Sequence, residues 1–83
     1  MVVIADRAED VDHLCLCLRI PKVQVKYINA REVAGQRLYG IAIGSTVFAL
    51  TPVLSRELEE VILRRHMQII HLDLDHLMKL RDA

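Results

Sequence analysis

The sequence predicts a small α/β fold: a Rossmann-like layer whose largely parallel sheet of three to four strands carries two to three helices, in the order β-α-β-β-α-β-α. Two observations carry this reading. Strand-length patterns, apolar runs at residues 2–5 and 46–50 and an apolar/polar alternation at 23–27, are interspersed with segments of helical periodicity at residues 8–18 and 54–62. The first strand, helix and second strand then make a βαβ unit, whose crossover implies parallel pairing and a right-handed connection. With 83 residues, the chain is expected to be one α/β domain spanning residues 1–83.

Val2, Val3, Ile4 and Ala5 form an unbroken apolar run, the pattern of a strand buried on both faces. Asp6 and Glu9 have the spacing of a capping box, which places Asp6 at the expected N-cap. Glu9, Asp10 and Asp12 follow early in the helix and Arg19 lies near its end, as the helix dipole prefers. Ala8, Val11, Leu14, Cys15 and Leu18 share one helical face. Leu14, Leu16, Leu18 and Ile20 also alternate as in a strand, but the capping signals favour a helix, closed by Pro21. Val23, Val25 and Tyr27 alternate with Gln24 and Lys26, which predicts the second strand.

Residues 29–38 form a polar connection, with a helical turn expected over 31–34 and ending near Gly35. Gly40 and Gly44 bracket Ile41, Ala42 and Ile43, and residues 46–50 are the clearest third strand. Thr51 and Pro52 predict a helix start, as N-cap and first helical residue. Leu54, Leu58, Val61 and Ile62 make its apolar stripe, while Arg56, Glu57, Glu59, Glu60 and Arg64 make the wet face. The last third of the chain supports two patterns. Alternation of Ile70, Leu72 and Leu74 with His71, Asp73 and Asp75 predicts a strand over 68–73 and a short helix over 76–82. The spacing of Leu63, Met67, Ile70, Leu74 and Met78 predicts instead one long helix from 52 to 81. The strand is preferred.

Composition narrows the function. Hydrophobic residues make up 53% of the chain, and its mean hydropathy is +0.27. A small fold has little interior for so much apolar side chain, so part of it is expected at the surface as a contact patch. Eleven basic residues balance eleven acidic ones. Binding to nucleic acid draws on a basic excess, so no nucleic-acid partner is expected. Cys15 and Cys17 are too close in sequence for an unstrained bridge and are expected as buried, reduced thiols. No apolar run approaches a membrane span and residues 1–6 lack a basic leader, so a cytoplasmic protein without a membrane partner is expected.

Chemistry, if any, belongs at the carboxyl ends of the strands. Asp6, Thr51, His71, Asp73 and Asp75 are expected there. Asp6, Asp73 and Asp75 are the metal candidates, because hard cations such as Mg²⁺ take several carboxylates. The competing explanation is that each caps a helix. The run from His71 to His76 is similar to the zinc-binding strand-end motif of the metallo-β-lactamase fold, with Asp73 where that family has His. That similarity covers six residues and lacks the long chain that supplies the other ligands, so no zinc site is assigned from it. His13, Cys15 and Cys17 cannot share an ion on a helix, where positions two apart point roughly 200° from one another. No glycine-rich turn follows the first strand, so no dinucleotide cofactor is expected. No cofactor of any other class is expected either.

These readings converge on a non-enzymatic protein-interaction module, one that self-associates or docks on a partner protein as small accessory, inhibitor or phage-type proteins do. Leu77, Met78 and Leu80 of the last helix are its interface candidates, with an uncovered sheet edge. The alternative is a small metal-dependent phosphoryl-transfer or receiver-like domain that uses the strand-end carboxylates.

Overall fold

A computed structural model describes residues 1–31 and 40–82. Strand β1 (Val2–Ala5) leads to helix α1 (Ala8–Leu18), a single 3-10 turn (Lys22–Gln24) and strand β2 (Lys26–Asn29). Strand β3 (Thr46–Ala49), helix α2 (Arg56–Arg64), strand β4 (Gln68–His71) and helix α3 (Leu74–Asp82) follow. The four strands form one sheet in the order β2-β1-β3-β4, and every pairing is parallel. This is the small α/β, Rossmann-like layer that the sequence predicts. The helical turn expected over 31–34 lies outside the described residues, apart from Arg31.

Alternation along β1 decides which helix covers which face. Val3 and Ala5 point to one side and pack with Val11, Leu14 and Cys15 of α1, and with the half-buried Leu74 and Leu77 of α3. Ile4 points to the other side, where Ile28, Val47 and Ala49 meet Leu58, Val61 and Ile62 of α2. Helices α1 and α3 therefore share one face and α2 covers the opposite one. Val3, Ile4, Ala5, Ile28, Val47 and Leu58 are fully buried.

Several element boundaries differ from the sequence pattern, each for a local reason. Helix α1 has Arg7, not Asp6, at its N-cap, and no side chain caps it. Asp6 lies one residue outside and pairs instead with Arg31 at 3.8 Å. Strand β2 begins at Lys26 because β1 offers only the partners Val2 to Ala5. The chain before it, opened by Pro21, folds into the 3-10 turn and leaves Val23 exposed. Helix α2 starts at Ser55 rather than Thr51, with Ser55 Oγ accepting from the Leu58 amide at 3.2 Å. The buried Thr51 uses its hydroxyl in a turn with Val53, accepting from its amide and donating to its carbonyl, both at 3.3 Å.

The long helix from 52 to 81 is not formed, because α2 closes in a Schellman motif. His66 adopts a left-handed φ of 52° and its amide donates to Leu63 O, while the Met67 amide donates to Ile62 O at 3.0 Å. Met67 and Ile62 are both buried, supplying the apolar contact typical of this cap. Helix α1 ends in the same way before Pro21: Arg19 has φ 55°, and the Ile20 amide donates to Cys15 O at 3.0 Å.

One surface ion pair ties α1 to the 3-10 turn: Lys22 Nζ lies 2.8 Å from Asp12 Oδ1. The hydrogen bond and charge of Asp12 raise the Lys22 pKa above its ordinary 10.5. A raised pKa means that this contribution is fully present below pH 10.5 and lost as pH climbs through the higher folded value. With the Lys22 side chain largely in solvent, the pair does little for the fold.

The left-handed cap gives a direct test. His66→Gly is expected to stabilise the fold by roughly 0.5–1 kcal/mol in urea unfolding, by removing the Cβ from a left-handed position. His66→Ala is expected to give no such gain. Equal behaviour of the two variants would contradict the cap assignment.

Candidate functional site

Strands β1 and β3 are neighbours whose following connections leave to opposite faces, α1 to one and α2 to the other. In open α/β sheets this parting creates a crevice off the carboxyl ends of the two strands. A cleft of about 640 Å³ lies beside it, off the ends of β3 and β4. Thr51 and Pro52 line it after β3, His71, Asp73 and Asp75 after β4, and Asp10 from α1.

Thr51, His71, Asp73 and Asp75, expected at strand ends from the sequence, all line this cleft. Asp6 is not among its lining residues and is held by Arg31. Asp73 caps α3, its Oδ1 accepting from the His76 amide at 3.2 Å, and Asp75 stands in the first turn of that helix. The three metal candidates are thus not brought together. Among the described residues, no group of three or more His, Cys, Asp or Glu is arranged to hold a metal ion.

Asp10 was missed as a cleft residue. Helical side chains lean toward the N-terminus, so an acid in the first turn after a strand projects back over the sheet end. Its carboxylate lies 3.5 Å from Arg7. Among the described residues the lining includes three carboxylates and no lysine or arginine, a set that disfavours phosphate relative to cations. The Thr51 hydroxyl is engaged with Val53, and among the described lining residues there is no serine, cysteine or lysine to serve as a nucleophile.

The second feature is the free edge of the sheet. Strand β4 is terminal and paired only with β3 among the described residues. The Gln68 amide donates to Ser45 O at 3.1 Å and the Leu72 amide to Ala49 O at 2.8 Å. Alternation turns the N–H and C=O groups of Ile69 and His71 to the open edge. Edge strands are commonly guarded by charge or proline, and the residues Gln68, Ile69, Ile70 and His71 include no Lys, Arg, Asp, Glu or Pro. The opposite edge, β2, carries Lys26. Ile70 is 44% exposed and Ile69 half-buried, so β4 is also less covered than its neighbours.

The interface candidates of α3 divide. Leu77 is half-buried against the α1 face of the core, Met78 is half-buried, and Leu80 is exposed. Leu77 and Leu80 border a shallow groove with Leu16, Cys17, Arg19 and Arg81. Cys15 is buried and Cys17 half-buried, on different sides of α1 as the helix requires. No described helix is long and apolar enough to cross a membrane.

No family model matches the chain, and no curated protein or solved structure is significantly similar to it.

Because Asp73 serves as a cap and Asp6 is paired elsewhere, millimolar Mg²⁺, Mn²⁺ or Zn²⁺ is expected to move the thermal midpoint by less than about 1 °C. A rise of several degrees that disappears in Asp73→Asn would contradict this. Asparagine preserves the cap, so such a loss would mark Asp73 as a ligand.

Proposed function

We propose that this protein is a non-enzymatic interaction module that binds protein segments by strand addition at the open edge of β4. The observation that carries the reading is the outward pair of backbone groups at Ile69 and His71, on an edge strand without charge or proline. An extended segment laid beside β4 gains main-chain hydrogen bonds there, and the exposed Ile70 offers an apolar contact on one face. Leu16, Leu18, Val23, Ile43, Val53, Leu63 and Leu80 are also exposed, more apolar surface than so small a fold needs for its own core.

A second reading, a small metal-dependent phosphoryl-transfer or receiver-like domain, has the cleft at the strand ends in its favour. Its carboxylates oppose a phosphate ligand until a cation neutralises them, and the described residues provide no cluster to hold that cation. Strand addition is therefore the better-supported function.

Selection of extended peptides from a display library on the folded protein tests the proposal. Replacing His71 by proline removes the outward N–H while sparing every bond to β3. Selected peptides are expected to lose at least about tenfold in affinity for His71→Pro, the effect of one or two missing hydrogen bonds. Peptides that bind the variant as tightly would contradict recognition at this edge.

A further inference from the structure

We infer that the strand added at this edge is β4 of a second copy, paired antiparallel about a two-fold axis through Ile70. This inference rests on the strand-addition reading and specifies its partner.

The register follows from which groups face outward. Antiparallel partners exchange both hydrogen bonds at alternate positions, and in β4 the outward positions are Ile69 and His71. A two-fold axis at Ile70 sets Ile69 of each copy against His71 of the other. Every outward N–H and C=O of those two residues then finds a partner, giving four inter-chain hydrogen bonds. The axis also places Ile70 against its own symmetry mate in the close, non-hydrogen-bonded position. Its side chain, 44% exposed in the single chain, is buried there by an identical apolar group.

Charge supports the same partner. A strand that pairs with itself brings each of its charges near a copy of that charge, and like pairs oppose association. β4 carries no Lys, Arg, Asp or Glu, so self-pairing meets no such penalty. Pairing of β4 with the β2 edge of another copy would be heterologous and leave a free edge at each end. It would also place Lys26 at the contact. The two-fold arrangement closes instead, giving a continuous eight-stranded sheet from two four-stranded ones. A four-residue strand buries less than a standard interface, so a dimer with a dissociation constant of roughly 10–100 µM is expected.

Sedimentation velocity over a concentration series, joined to a register-specific cross-link, tests the inference. The wild-type chain is expected to shift from monomer to dimer between about 5 µM and 500 µM. His71→Pro and Ile70→Lys are expected to remain monomeric throughout, with the circular dichroism of the wild type. In a Cys17→Ser background, Ile70→Cys is expected to form a disulfide-linked dimer with oxidised glutathione, since residues directly opposed on such an axis lie within disulfide reach. Gln68→Cys, whose opposite residue is Leu72, is expected not to. A wild-type chain that stays monomeric overturns self-pairing, as does a dimer that survives both His71→Pro and Ile70→Lys. A monomeric wild type whose selected peptides still depend on His71 would overturn only the choice of partner. Peptides indifferent to His71→Pro would remove strand addition as well.

Discussion

Neither face of β1 can be left to water, and the rest of the fold is arranged around that constraint. Val3, Ile4 and Ala5 are fully buried, with side chains directed to both sides of the sheet. A strand of this kind needs neighbours on both edges and helices on both faces. β2 and β3 supply the edges. α1 and α3 cover Val3 and Ala5, while α2 covers Ile4. The parting of the connections after β1 and β3, and hence the cleft nearby, is a consequence of covering both faces.

The same constraint fades outward along the sheet. β3 retains the buried Val47 and Ala49, but β4 has no buried residue. Its inner backbone groups are held by β3, and its outer groups at Ile69 and His71 have no described partner strand. A strand with an ordered inner edge and an unguarded outer edge is a template for another strand. The cleft has a different character. Its acids are explained by cap and dipole roles in α1 and α3, and their joint field disfavours the anions that doubly wound sheets often bind.

Much of this was legible from residue patterns. The apolar run from Val2 to Ala5 marked the central strand, and the alternation around Ile70 correctly favoured a strand over a long helix. What was not legible depended on competition between nearby groups. Thr51 and Pro52 carry a helix-start signature, yet Thr51 serves a turn with Val53 and Ser55 caps α2, its amide also donating to Ala30 O at 3.0 Å. Asp6 looked like a cap until Arg31, distant in sequence, paired with it. Alternation from Val23 predicts a longer strand than the observed β2, because it says nothing about the length of the partner strand. The strand-end positions Thr51, His71, Asp73 and Asp75 were found from topology alone, whereas Asp10 needed the direction in which helical side chains lean.

The central claim is that β4 has one edge bound within the fold and one edge available for association. Amide hydrogen exchange, resolved by residue and followed over protein concentration, measures this most directly. In dilute protein the amides of Ile69 and His71 are predicted to exchange at least about a hundredfold faster than those of Ile70 and Leu72. Raising the concentration is predicted to slow the first pair and leave the second unchanged. Uniform protection from residue 69 to residue 72 in dilute protein would contradict the open edge itself, whereas rapid exchange at Ile69 and His71 at every concentration would contradict self-pairing at that edge.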